Sequence, residues 1–175
     1  WRLAQTNTVA GFKGLPKMVS AQHNYNMMSR QAEIEILPYC GQNGVGFLPY
    51  GPLGGGYLTG KYQAGQPAPA GTRGASGGGE VKRLRNERNE AMLEPLGTYA
   101  KEYDHSLLDL AWAWMLAHPE VSSVIAGAMN PDQIRANIVA SSWELTTDQL
   151  TEINAIASYE VGGIRGPEHE DARGE

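Results

Sequence analysis

Three short strand-like runs, Met18–Tyr25, Val45–Leu48 and Val121–Gly127, constrain this chain more than any other feature. Each is followed by a stretch with helical spacing. Strands that carry a largely apolar run are buried on both faces, and buried strands separated by helices form parallel βαβ units. The expected class is therefore α/β. Periodicity leaves open whether the sheet is an open one or part of a barrel.

The helices are marked by their ends. Leu3, Ala4, Val9, Ala10 and Phe12 precede Gly14 and Pro16, as at the tail of a helix with a glycine stop. Gln31–Cys40 predicts a second helix with Ile34, Leu37 and Cys40 on one face. Asn86–Tyr103 predicts a third, which Pro95 should break or begin partway. Ser106 caps Leu107–Ala117, and His118-Pro119 stops it. On that helix Leu107, Leu110, Ala111, Trp114 and Met115 share a face that Trp112 cannot join. Core packing explains the stripe better than a ligand does. Asn130-Pro131-Asp132-Gln133 is a dense helix start, and Thr146 with Gln149 repeats the capping logic for a last helix ending near Ser158. Lys61–Glu80, rich in Gly, Pro, Ala and Ser, reads as one long loop, functional or disordered. Residues 159–175 lack periodicity and are expected to be a disordered tail, which leaves one domain over residues 1–158.

Composition excludes more than it proposes. A chain of 175 residues can bury a real core, and its net charge of −5 comes with no basic cluster suited to nucleic acid. No apolar run is long enough to cross a bilayer, so no membrane partner is expected. Cys40 is the single cysteine; it allows no internal disulfide and fits a reduced thiol in a cytoplasmic protein. His23, His105, His118 and His169 are scattered without ligand spacing, which argues against a metal enzyme. The chain begins at Trp1 rather than Met, so loss of upstream sequence is expected.

Several polar groups fall at strand ends. Gly44 to Lys61 runs from a strand through the sharp turn Tyr50-Gly51-Pro52 into the glycine-rich Leu53-Gly54-Gly55-Gly56 and ends in a cation. Backbone N–H groups so uncovered can approach an anion, and Lys61 adds charge; the same run also reads as a glycine-rich surface connection. Ser20, Gln22, Asn24 and Tyr25 end the first strand. A carboxamide such as Gln22 suits an amide ligand like nicotinamide, while neighbouring backbone could equally satisfy it. Tyr50 could stack on a flat heterocycle or sit in the core with a wet hydroxyl. Ala126-Gly127-Ala128-Met129 delivers a glycine turn onto the helix capped by Asn130, a ready anion site. Gln133 and Asn137 lie four apart on that helix, and Arg73 offers a planar fork for phosphate. No nucleophile elbow, serine–histidine–acid pattern or carboxylate pair is present, so the chain looks equipped to bind rather than to react.

These residues resemble the aldo/keto reductase family. The resemblance is carried by Ala21-Gln22-His23-Asn24-Tyr25 with Arg30, by Gly44 through Tyr62, and by Pro69-Ala70-Gly71-Thr72-Arg73. Leu107–Leu116 and Ser123–Asn137 continue it, in order and spacing, to about Ile156. It implies an NADP(H)-dependent enzyme reducing small aldehydes or ketones on a (β/α)8 barrel, with the cofactor at the strands' carboxyl ends. It also implies that this chain is the second half of such a barrel, incomplete as given, and that the catalytic Asp, Tyr, Lys and His lie upstream, leaving the chain itself inactive. Carried over residue by residue, Gln22 would hold the carboxamide and Tyr50 would stack on the nicotinamide. Gly51, Pro52, Leu53, Gly54 and Gly55 would pass the pyrophosphate, with Lys61 neutralising its charge. Arg73 would meet the 2′-phosphate, and Gly127, Met129, Gln133 and Asn137 would frame the adenosine end. Gly51 stands where a serine is usual, Met129 where a serine or threonine is, and Ala136 where a glutamate is. Each lost contact costs about 1 kcal/mol, which weakens the selection of NADP over NAD. A non-catalytic nucleotide-binding or partner subunit, as in channel-associated members, is the alternative, and an inactive fragment a third. Half a barrel exposes sheet edges, so self-association is expected.

Overall fold

The computed structural model describes residues 1–158, 160–161 and 164–165. The helix α1 (Arg2–Phe12) leads into β1 (Ser20–Asn24), α2 (Ala32–Asn43) and β2 (Gly46–Tyr50). A 3-10 turn over Gly54–Thr59 follows, then α3 (Gly79–Leu84), α4 (Glu87–Glu102), α5 (Leu107–Leu116), α6 (Pro131–Ala140) and α7 (Thr147–Ile156). The strands β1 and β2 are parallel, with Ala21 opposite Phe47, Gln22 opposite Leu48 and Asn24 opposite Tyr50. The architecture is α/β with a small parallel sheet.

The third strand-like run lies beside β2 but does not form a regular ladder with it. Phe47 pairs with Val121 and Tyr50 with Ile125, so three steps on β2 face four on its neighbour. Phe47 N–H donates to Glu120 O at 2.9 Å, and Phe47 O accepts from Ser122 N–H at 3.0 Å. The next donor on that edge would be Pro49, which has no N–H. The ladder slips by one residue there, and it resumes where Ile125 N–H reaches Pro49 O at 2.8 Å.

Only one face of the sheet is covered. Ala21, Phe47 and Pro49 are buried beneath helices, whereas Gln22 and Tyr50 are exposed on the opposite face. Burial on both faces, expected from the apolar runs, is therefore not found. The covering layer is built around α5, on which every residue from Leu110 to Met115 is buried, Trp112 among them. It packs against α4, the 3-10 turn and α6. A single apolar stripe was too narrow an expectation.

The capping signals form as read. Asn86, Ser106, Asn130 and Thr146 each accept a hydrogen bond from the backbone N–H three residues on. Pro95 does not break α4, which runs unbroken through it. An interior proline costs about 3 kcal/mol. Burial of Met92, Leu93, Leu96, Tyr99 and Ala100 on both sides of it holds the two halves on one core face. On α2, Ala32, Glu33, Leu37 and Cys40 are buried while Ile34 is exposed, so the buried face is turned from the expected one.

A buried polar cluster pins β1 to α2 and α5. The Tyr25 hydroxyl donates to Glu33 Oε1 at 2.7 Å and lies 2.9 Å from His118 Nε2. Its one proton goes to Glu33, so the imidazole must donate from Nε2. Arg30 closes the cluster with a two-bonded grip on Glu33 at 2.8 and 3.0 Å and a third bond to Ala157 O at 3.0 Å. Its guanidinium lies 5.0 Å from the Trp114 ring centre. Burial, then the Glu33 charge and hydrogen bond, push the Tyr25 hydroxyl well above the usual tyrosine range, with Arg30 opposing.

The expected disordered tail falls mostly outside the described residues. Within it, Glu160–Val161 pairs antiparallel with Ile164–Arg165. These two short strands are β3 and β4.

Candidate functional site: a glycine-lined cleft at the sheet's carboxyl end

The open cleft of about 580 Å³ lies where β2 and the Val121–Gly127 segment end. Its walls come from three places distant in sequence. Tyr50, Gly51, Pro52, Leu53 and Gly55 supply one wall, Lys61 and Arg73 come from the loop beyond, and Gly127, Met129, Gln133 and Asn137 come from the entry to α6. All the candidate residues line it except Gln22 and Gly54.

The floor takes its shape from glycines with positive φ. Gly51 (+68°), Gly54 (+55°), Gly55 (+67°) and Gly56 (+98°) all occupy the left-handed region, where other residues are strained. Gly54 N–H donates to Gly51 O at 3.0 Å and Gly56 N–H to Leu53 O at 2.9 Å, so these amides hold the turn. Gly54 itself faces the core, where a Cβ would come within 2.5 Å of Leu84 Cδ1. A Cβ on Gly56 would come within 2.8 Å of Lys61 Nζ, so the bare glycine gives the ammonium its seat. The same ammonium lies 5.5 Å from the centre of the Tyr62 ring.

The loop that carries Arg73 is pinned rather than loose. Tyr62 OH accepts from Gly74 N–H at 3.1 Å, and Arg73 O accepts from Gly78 N–H at 2.7 Å. Further back, Glu90 accepts from Gly65 N–H at 3.0 Å and from Arg85 at 2.9 Å. The Gly65 amide, then Arg85, hold the Glu90 carboxyl below the usual range. Among the described residues, neither Lys61 nor Arg73 has a carboxylate at ion-pair distance. Two uncompensated cations thus flank the glycine floor.

On the α6 side, Asn130 Oδ1 caps the helix by accepting from Gln133 N–H at 3.0 Å. Gln133 Oε1 accepts from Met129 N–H at 2.7 Å, so that amide braces its own turn and leaves its NH₂ for a ligand. Tyr50 is 44% exposed. Gln22 is exposed on the same face of the sheet as Tyr50, two residue pairs earlier along the strands and outside the cleft. The two threonine hydroxyls in the lining, Thr59 and Thr72, donate to the carbonyls of Gly56 and Pro69 at 2.8 and 2.7 Å. Neither is set against a base.

Sequence reasoning missed Glu80 and Leu108, which also line the cleft. Glu80 arrives because Asn24 Nδ2 donates to its Oε1 at 3.1 Å, across 56 positions of chain. No local signal marks such a contact.

A family model of the aldo/keto reductases matches residues 5–158. The chain belongs to the aldo/keto reductase family. It is 31% identical over 156 residues to the uncharacterised oxidoreductase YrpG of Bacillus subtilis (strain 168), a match covering 89% of this chain and 45% of that protein. It is 32% identical over 142 residues to protein tas of Escherichia coli (strain K12), covering 81% and 40%. To a probable voltage-gated potassium channel subunit beta of Arabidopsis thaliana it is 35% identical over 127 residues, covering 68% and 37%. This aldo/keto reductase chain spans less than half the length of these curated relatives. Among its described residues, no helix is long and apolar enough to cross a membrane.

Proposed function

We propose that the cleft holds NADP(H) and that this chain is the cofactor-binding half of a barrel enzyme reducing aldehydes or ketones. The carrying observation is the convergence of the Tyr50–Gly55 wall, two unpaired cations and the α6 start on one cleft. The donor set fits the group. It joins an exposed aromatic residue, a floor without side chains, and two cations that suit phosphate groups. Tyr50 would stack on the nicotinamide and Gln22 would take its carboxamide. Gly51 through Gly55 with Lys61 would pass the pyrophosphate, Arg73 would meet the 2′-phosphate, and Gly127, Met129, Gln133 and Asn137 would frame the adenosine.

When bound, the cofactor supplies the hydride. This chain's residues hold and orient it, and the proton comes from a tyrosine on the half that the family resemblance places upstream. With Met129 in place of a hydroxyl side chain, selection of NADP over NAD falls to Arg73. Titrating NADPH and NADH against intrinsic fluorescence tests the reading. Saturable binding with NADPH the tighter is expected; no saturation by about 1 mM, an affinity near −4 kcal/mol, would sink it.

The likeness to channel beta subunits favours a second reading, in which the cleft binds nucleotide as part of a partner subunit. NADPH oxidation with a simple aldehyde by the protein encoded by the whole gene separates the two. Binding without turnover there supports the second reading. For the 175-residue chain alone, turnover is expected at background, and measurable turnover would place catalytic residues within it.

A further inference from the structure

One carboxylate stands among the cations and amides of the cleft, and its position is specific. Glu80 is half-buried at the start of α3, and the Asn24 side chain at the end of β1 holds its Oε1 at 3.1 Å. A Cβ on Gly51 would lie 3.0 Å from Glu80 Oε1, and one on Gly55 would lie 3.4 Å from Oε2. The carboxylate therefore hangs directly over the part of the glycine floor left free of side chains. Asn24 is itself fixed, because it pairs in register with Tyr50.

Two negative groups cannot share that floor without cost. Like charges brought to contact distance at a protein surface repel one another. A phosphate settling over Gly51 and Gly55 must push Glu80 aside and break its bond to Asn24, or bind against its charge.

We propose that Glu80 is an affinity-setting counter-anion: its carboxylate occupies the phosphate position over Gly51 and Gly55, and an anionic ligand binds by displacing it. The inference rests on reading the cleft as a dinucleotide site. It adds that free chain and bound chain differ in where Glu80 points, and that Asn24 sets how firmly the stand-in is held. Lys61 and Arg73 attract the ligand, while Glu80 holds the phosphate position until it arrives.

The test measures dissociation constants for NADPH and for inorganic pyrophosphate in the wild-type chain, Glu80→Gln and Asn24→Ala. Glu80→Gln keeps shape and removes charge, so both ligands should bind about tenfold more tightly, or about 1.4 kcal/mol. Asn24→Ala releases the carboxylate and should give a smaller gain; it carries the test if Glu80→Gln fails to fold. If wild type binds but both variants bind equally or more weakly, the counter-anion role is overturned while the dinucleotide site stands. Weaker binding would instead make Glu80 an acceptor for a ligand hydroxyl. If no form binds either ligand, the dinucleotide reading fails and this inference with it.

Discussion

The Tyr25 hydroxyl donates to Glu33 Oε1 across 2.7 Å, and this one bond ties the first strand to the second helix. Both residues are buried, and Arg30 supplies the charge that makes a carboxylate tolerable there. The first strand, whose last residue Asn24 holds Glu80, is thus positioned by a polar cluster beneath it.

Tyr25→Phe should lower stability by about 1–3 kcal/mol, because it strips a donor from a buried carboxylate. It should also change the response to alkali. Unfolded tyrosines ionise near pH 10, while Tyr25 is held well above that, chiefly by burial, and Tyr57 is pushed up to about 12, again chiefly by burial. Their contribution is whole below pH about 10 and is lost as pH rises toward the folded values. Urea midpoints taken across that range should fall in the wild type and fall less steeply in Tyr25→Phe. Equal slopes would show that Tyr25 does not titrate with unfolding.

Glu90→Gln should loosen the loop that leads to Arg73. The lowered Glu90 pKa means that its contribution is present above the unfolded carboxylate value and fades as pH drops through the folded one. The group is near the surface, so the loss should stay below about 1 kcal/mol. Limited proteolysis near Gly65 is the more sensitive readout. Cleavage should quicken in the variant at neutral pH and approach the wild-type rate in acid.

Arg73→Ala should weaken NADPH binding more than NADH binding, by about tenfold in the ratio, since only the former carries the third phosphate. Lys61→Ala should weaken both alike. Isothermal titration of the four combinations decides the matter. An equal effect of Arg73→Ala on both cofactors would remove Arg73 from the adenosine end.

The isolated 175-residue chain should self-associate. Phe12 is 88% exposed, Val19 78% and Val139 68%. Large apolar side chains this exposed favour contact with another copy of the chain. Sedimentation velocity should show mass above the monomer. A single monomeric boundary with cooperative melting would refute the expectation.

Local chemistry made the helix starts legible, because Ser106 with Asp109 or Thr146 with Gln149 needs nothing beyond four residues. The parallel order of β1 and β2 was legible from the helix that separates them. Pro95 was misread because local cost loses to the burial of Leu93 and Leu96, which sequence spacing does not price. The strand pattern also hid the slip at Pro49, which depends on the edge that its nitrogen faces. Of the cleft, the parts within one loop or helix turn could be read, since Tyr50–Gly55 and Gly127–Gln133 are each continuous. Glu80 could not, because its place is set by Asn24, far away in the chain.

The slip at Pro49 has a dynamic consequence. The Val121–Gly127 segment is fastened to β2 near Phe47 and again at Ile125, with a bulge between. Such a segment can detach by a local opening that leaves β1 and β2 zipped, at a free energy below that of global unfolding. Amide protons of Ser123 and Val124 should exchange with deuterated solvent sooner than those of Leu48. The far wall of the cleft, Gly127 and Met129, would then breathe on a hinge made by one missing N–H.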